Sequence, residues 1–279
     1  MPELPEVETI RRDLEPALAG LRIVSVTVAR RDLRRPVPES LEAAVTGAVI
    51  TGVRRRGKLL LIVLGDDAPL LAIHLGMTGR LILQPGDDRT APAEIRPAHD
   101  HVVFRLSDGS RLIFNDARRF GLVDLAPGGR HPLIDALGPE PLGEDFSPSL
   151  LAASLSRKGA PVKTVIMDGA VVAGVGNIYA CETLWRAGID PRRPARDLTV
   201  PEVGRVFARL REVLGDAISR RGSSLRDYRD ASGAPGGFQE TFAVYGRDGL
   251  ACRRAGCGGT VMRIVQGGRS TFLCPACQV

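Results

Sequence analysis

The sequence predicts an α+β multidomain protein: an amino-terminal helix and a β-sandwich or barrel, then a helical half, then a β-hairpin held by cysteines. Three observations carry that expectation. Five β-type runs at 21–29, 59–64, 70–75, 101–106 and 111–116 are separated by turn signals such as GDDAP, QPGDD and SDGS. Beyond residue 148 the apolar residues recur at helical spacing. Four of the five cysteines, Cys252, Cys257, Cys274 and Cys277, crowd the carboxyl end. With 279 residues and 44% hydrophobic content, the chain has apolar surface for more than one core.

The first helix is expected to begin at residue 2. Pro2 beside Glu3, Glu6 and Glu8 is helix-start chemistry, because proline presets φ and carboxylates favour the positive helix end. Leu4, Val7, Ile10 and Leu14 then form its buried stripe. Residues 126–149 are rich in proline and glycine and read as a linker. SPSLLAASL opens a helix after a Ser-Pro start, NIYACETLWRAG ends one at Gly188, and PEVGRVFARLREVLGDAISRRG carries apolar positions 203, 206, 207, 210, 213, 214 and 218. Residues 222–240 have no apolar period and predict a mobile loop.

Thirty-eight Lys plus Arg against 32 Asp plus Glu leave a net charge of +6, which favours a polyanionic partner such as nucleic acid. No stretch of eighteen apolar residues occurs and the first residues lack signal-peptide order, so the expected location is the cytoplasm. In a reducing compartment the cysteine cluster reads as metal ligation rather than disulfides. Cys252-x4-Cys257 and Cys274-x2-Cys277 flank two β-type runs that meet at Gly267-Gly268. Four thiolates around one zinc close the coordination shell, which makes the site structural. Arg269 follows the Gly-Gly turn, either as a solvated surface cation or, with Arg253, Arg254 and Arg263, as part of a phosphate-contacting finger.

The amino terminus admits a second reading. A small residue after Met1 permits removal of the methionine, leaving Pro2 as a free secondary amine. An α-amino group titrates near ~8, so a useful fraction is nucleophilic at neutral pH. Attack on a sugar C1′ gives a permanently cationic iminium, an electron sink for elimination. Glu3 and Glu6 face the same side as that amine, supplying paired carboxyls for acid and base work.

Five separated patterns then coincide: PELPEVE after Met1, RRGKLLL at 55–61, HLGMTGRL at 74–81 with NDARRFG at 115–121, GVGNIYACE at 174–182, and the cysteine hairpin. Together they span nearly the whole chain, which closely resembles bacterial formamidopyrimidine-DNA glycosylase. The resemblance implies an N-terminal β-sandwich with its helix (1–126), a hinge (127–147), a helix-two-turns-helix domain with a lesion-capping loop (148–240) and a zinc finger (241–279). It implies Pro2 as nucleophile, Glu3 as the acid acting on deoxyribose, Lys58 as a phosphate-contacting lysine that assists elimination, and Arg269 as the finger arginine linked to the final elimination.

A lesion base inside a duplex must be everted, and the vacated space needs filling. Met77, Arg118 and Phe120 match the family residues that enter the stack, although Met77 and Phe120 read alone suit ordinary core packing. Asn177 matches a phosphate-gripping position and also suits an N-cap. Glu182 matches an acid of the same element with a structural role. His74 and His99 match backbone-contacting positions, and Lys158 is the candidate for the basic residue before the second phosphate-gripping helix. Glu6 and Arg226 fall at the lesion site, Arg226 where some relatives have lysine.

Three departures from the family pattern stand out: the x4 spacing of the first cysteine pair, Ala117 where proline is frequent, and the basic residue of RKGAPVK, shifted by one position. The implied protein is a monomeric DNA glycosylase and AP lyase for oxidised purines, binding double-stranded DNA and one structural zinc. The alternatives are a relative of the endonuclease VIII type acting on oxidised pyrimidines, and a non-catalytic zinc DNA-binding protein.

Overall fold

The computed structural model describes residues 1–65, 68–86, 98–224 and 234–279. The chain forms two compact units, one of Met1–Asp135 with Arg221–Gly236, the other of Ala136–Arg220 with Gly237–Val279.

In the first unit, helix α1 spans Leu4–Leu18 and not residue 2 onward. Glu3 is its N-cap, with extended backbone at φ −108° and ψ −170°, and forms a reciprocal capping box with Glu6. Pro5 occupies the first turn, so the proline that presets helical φ is Pro5, and Pro2 lies ahead of the helix. Leu4, Val7, Ile10 and Leu14 are buried as expected.

Strand β1 (Ile23–Val28), helix α2 (Leu41–Val45) and strands β2 (Ile50–Arg56), β3 (Leu59–Leu64), β4 (Leu70–His74), β5 (Arg80–Gln84), β6 (Asp100–Leu106), β7 (Arg111–Asn115) and β8 (Leu122–Ala126) follow. They make a β-sandwich of two antiparallel four-stranded sheets, ordered β1-β6-β7-β5 and β2-β3-β4-β8. The core lies against α1 and includes Leu14, Leu18, Val53, Ile62, Ile73, Phe104 and Phe114. On the other face of the second sheet, Leu59, Leu61, Ala72, Leu122 and Ala126 are covered by Leu133 and Ile134 of helix α3 (Pro132–Asp135). Burial on both faces explains why LLLIVL is continuously apolar instead of alternating.

Register sets up the site. His74 pairs with Leu122 in one sheet, and Arg80 pairs with Asn115 in the other. The connections 75–79 and 116–121 therefore cross between the sheets side by side.

The second unit contains α4 (Pro148–Leu155), α5 (Val162–Ile166), α6 (Asn177–Ala187), α7 (Val200–Ser219) and the hairpin of β9 (Met262–Gln266) and β10 (Arg269–Leu273). Ser147 caps α4 through its hydroxyl, and Gly188 ends α6 in the left-handed region at φ 72°. The buried stripe of α7 is Val203, Val206, Leu210, Val213, Leu214, Ala217 and Ile218, with Phe207 half-buried at its margin. Tyr179, Phe238, Phe242, Tyr245 and Phe272 form a chain of ring contacts, 4.9 to 5.7 Å between centroids, that joins the helical core to the hairpin. Among the described residues, no helix is long and apolar enough to cross a membrane.

Candidate active site, nucleic-acid interface and metal centre

Pro2 is buried immediately ahead of α1, beneath a half-exposed Met1. Glu3 and Glu6 are both about 2% exposed. The Glu3 N–H donates to Glu6 Oε2 at 2.8 Å, and the Ser223 N–H donates to Glu6 Oε1 at 2.7 Å. Glu6 thus fastens the backbone around residue 223 to the helix start. Gly222 makes that approach possible: at φ +78° a Cβ there would meet Glu6 Oε1 at 2.8 Å.

Lys58 sits in the two-residue turn between β2 and β3, after Gly57 at φ 57°. Arg55 supports this turn, donating from Nη1 to the Gly57 carbonyl at 3.0 Å and from Nε to Glu8 Oε2 at 3.1 Å. Glu8 stands on α1, so one ion pair connects the helix behind Pro2 to the turn that carries Lys58. Burial opposes ionisation of Glu8, yet its Arg11, Arg12 and Arg55 partners hold its carboxyl below the usual range.

His74 lies beside that turn, opposite Leu59. Burial first, and then the charges of Lys58 and Arg34, push its pKa down to about 4. Its Nδ1 accepts the Gly76 N–H at 2.9 Å, which assigns the remaining proton to Nε2. His74 is therefore a neutral donor at physiological pH. His99 is exposed just ahead of β6.

Met77 and Phe120 are large apolar residues exposed at 41% and 44%, which rules out the core-packing reading for both. Arg118 lies 4.7 Å over the Phe120 ring. The loops beneath them touch: a Cβ on Gly76, at φ +57°, would fall 2.4 Å from the Phe120 carbonyl carbon and oxygen. Asp116, fully buried, accepts from Thr78 Oγ1 at 2.5 Å and the Arg118 N–H at 3.2 Å through Oδ1, and from the Gly121 N–H at 2.7 Å through Oδ2. Its carbonyl is 2.7 Å from His101 Nε2. The pattern NDARRFG contains Asp116 but assigns it no role, although an Asp two residues before a turn N–H is a recognisable signal.

In the second unit Gly176 is the N-cap of α6, and Asn177 is its first helical residue. The N-cap reading of Asn177 is corrected on that ground. Its Nδ2 instead donates to the Ser270 carbonyl at 2.8 Å, leaving Oδ1 buried without a hydrogen-bond partner. Asn177 is thereby tied to the residue next to Arg269, which is exposed at the end of the Gly267-Gly268 turn. Lys158 is exposed between α4 and α5. The lysine that reaches the hairpin is Lys163, buried, with Nζ 2.6 Å from Thr271 Oγ1. Lys163 and Arg269 line an open groove of about 260 Å³ with Thr164, Met167, Asp168, Gln266 and Gly267. A lysine in VKTVI gives no sequence signal that distinguishes it from Lys158. Arg226 lies outside the described residues.

Glu182 is structural, as expected: its carboxylate accepts the N–H groups of Ala243, Val244 and Tyr245 at 2.9 to 3.0 Å. Burial pushes its pKa up while those three donors pull the other way.

The four cysteine sulfurs lie within 4.8 Å of one another, with Cys252 and Cys277 at 3.8 Å and Cys257 and Cys274 at 3.6 Å. Tetrahedral zinc with bonds of ~2.3 Å requires sulfurs about 3.8 Å apart, so the set fits one structural zinc. The longer first knuckle is anchored to α6: Arg254 stacks 5.0 Å over the Trp185 ring, and Trp185 Nε1 donates to Cys252 Sγ at 3.3 Å.

Comparison with known proteins agrees along the whole length. Residues 1–123 match the formamidopyrimidine-DNA glycosylase N-terminal domain, 137–229 the formamidopyrimidine-DNA glycosylase H2TH domain, and 249–279 the zinc finger found in FPG and IleRS. A formamidopyrimidine-DNA glycosylase of Paracoccus denitrificans is 52% identical over 282 residues, covering both chains completely. The crystal structure of the Fpg protein from Thermus thermophilus superposes with a TM-score of 0.87 at 42% identity, over 99% of this chain and 98% of that one. Lactococcus lactis Fpg, 36% identical over 99% of both chains, superposes at 0.89 in a mutant complex with Fapy-dG-containing DNA and at 0.88 in a complex with abasic-site DNA.

Proposed function

Since the chain belongs to the formamidopyrimidine-DNA glycosylase family, and is thus a DNA-binding glycosylase and AP lyase of base excision repair, we propose that it excises oxidised purines, 8-oxoguanine and formamidopyrimidines, opposite cytosine. The observation that carries its covalent chemistry is the juxtaposition of Pro2, Glu3 and Glu6 in one buried cluster at the helix start, and the purine lesion is supported by the L. lactis relative bound to Fapy-dG-containing DNA. With Met1 removed, the Pro2 nitrogen attacks C1′ of the damaged nucleotide. The N–C1′ bond forms as the glycosidic bond breaks, and the base departs with its electron pair, taking up the proton that the nitrogen gives up. Glu3 protonates the ring oxygen, so the sugar opens to an iminium on Pro2. Loss of a C2′ proton then expels the 3′ phosphate, and a second elimination expels the 5′ phosphate.

The remaining residues take roles that their placement supports. Lys58 and the neutral His74 lie together and suit contacts to the phosphates flanking the lesion. Asn177, Lys158 and Arg269 supply further backbone contacts, Arg269 also serving the second elimination. Met77, Arg118 and Phe120 stand exposed on adjoining loops, and fill the stack after eversion. Glu6 shapes the lesion pocket through Ser223. The protein acts as a monomer in the cytoplasm, at the nucleoid when bound to DNA.

An L. lactis Fpg structure contains oxidised-pyrimidine DNA, which keeps a second substrate class in the test. Borohydride trapping on duplexes with 8-oxoguanine opposite cytosine, formamidopyrimidine, or thymine glycol decides between them. Faster trapping on the two purine lesions supports the proposal. Preference for thymine glycol assigns the endonuclease VIII specificity, and no adduct on any duplex removes the catalytic reading.

A further inference from the structure

We propose that Asp116 is the positioning residue that makes Met77, Arg118 and Phe120 enter the DNA as one unit. The inference rests on the reading of those three side chains as fillers of the vacated stack. They come from two separate connections, 75–79 and 116–121, and an exposed methionine on one loop gains no fixed relation to an exposed phenylalanine on another from chain connectivity. Something must hold the loops in common register before DNA arrives, because ordering them during binding costs affinity.

The Asp116 carboxylate is that device. One oxygen gathers Thr78 Oγ1, next to Met77, at 2.5 Å and the Arg118 N–H at 3.2 Å. The other takes the Gly121 N–H, next to Phe120, at 2.7 Å. Thr78 Oγ1 also lies 3.3 Å from the Arg118 nitrogen, which closes a ring of hydrogen bonds across the two loops. His101, buried, fixes the Asp116 backbone from β6 at 2.7 Å. Gly76 runs so close to the Phe120 backbone that no Cβ fits between the loops. Arg119 adopts φ 56° in the middle of the second loop, an uncommon conformation for a non-glycine residue that the surrounding contacts must sustain.

The chemistry of the carboxylate matters. Donors approach both oxygens, so an amide in its place turns its own NH₂ toward either the Arg118 N–H or the Gly121 N–H, whichever way it is flipped. D116N therefore breaks the coupling without changing side-chain size. T78V breaks it from the other loop and leaves the buried carboxylate intact.

The test compares two substrates on the full zinc-loaded protein. An 8-oxoguanine duplex has a vacated stack to fill, while a single-stranded oligonucleotide with a preformed abasic site has none. D116N and T78V are expected to slow single-turnover excision from the duplex about tenfold or more, roughly the worth of one charge-assisted hydrogen bond, and to leave single-strand cleavage within about twofold. Equal losses on both substrates would mean a merely structural role and overturn the proposal. F120A separates the premise from the inference. Full duplex activity in F120A overturns the stack-filling reading and the Asp116 proposal with it, whereas a slow F120A beside fully active D116N and T78V overturns the Asp116 proposal alone.

Discussion

Glu6 Oε1 lies 2.7 Å from the Ser223 backbone nitrogen, 217 positions along the chain, while Glu6 Oε2 accepts the Glu3 N–H at 2.8 Å. One buried carboxylate thus fixes the residue that follows Pro2 and a distant piece of backbone. In E6Q the amide can accept at only one of its two ends, so a buried N–H loses its partner. The expected cost is about 1–3 kcal/mol in urea unfolding, together with slower adduct formation on damaged duplex. Unchanged stability would show that neither hydrogen bond carries weight.

Gly76 is the tightest point between the two exposed loops. G76A places a Cβ 2.4 Å from the Phe120 backbone at a φ of +57° that alanine itself disfavours by about 1–2 kcal/mol. We expect a lower unfolding midpoint and at least a tenfold drop in duplex excision as the loops are driven apart. Wild-type excision by G76A would mean that Met77 and Phe120 need no fixed spacing.

The His74 environment gives stability a defined pH dependence. Its folded pKa of about 4 lies below the ordinary histidine value of 6.5, so between these limits the unfolded chain binds more protons than the folded one. Stability contributed by neutral His74 is complete above about pH 6.5 and lost as pH falls toward 4, on the order of 3 kcal/mol in all. Urea unfolding of wild type and H74Q across that range checks the sign: the wild-type slope should be positive and the variant slope smaller. Equal slopes would place the titration elsewhere.

Trp185, the one tryptophan in the chain, reports on the metal because its indole N–H donates to Cys252 Sγ. The protein should contain one zinc per chain by elemental analysis. Chelation should shift Trp185 emission and weaken DNA binding together. W185F should lose zinc to a chelator faster than wild type, since a thiolate without its donor is more exposed to protonation. An emission spectrum indifferent to zinc removal would contradict this coupling.

Much of the fold is legible because its elements carry local signals. Runs such as LLLIVL and HVVFRL, the helix end at Gly188 and the Gly-Gly hairpin turn all declare themselves in a few residues. Strand β2 does not, since ITGVRRR has only Ile50 and Val53 facing the core and its arginines resemble loop composition. Strands β5 and β8 lie at the edges of their sheets, where RLILQ buries only Leu81 and LVDLA is interrupted by Asp124. At the site, motifs point to Pro2, Glu3, Lys58 and the cysteines, but Asp116, Thr78 and Ser223 act through contacts that only the folded chain creates. The first helix starts two residues later than its prolines suggest because Glu3, a poor N-cap in general, works here through its partner Glu6. Lys163 shows the same limit, being one of two nearby lysines that only burial against Thr271 distinguishes.

The most direct measurement is the attachment point of the trapped adduct. Protein incubated with 8-oxoguanine duplex and borohydride, digested with protease and nuclease, should yield one cross-linked peptide by mass spectrometry. This peptide should begin at Pro2, lack Met1 and carry the sugar remnant on its terminal nitrogen. An adduct on Lys58 or any other side chain, with Pro2 unmodified, would contradict it.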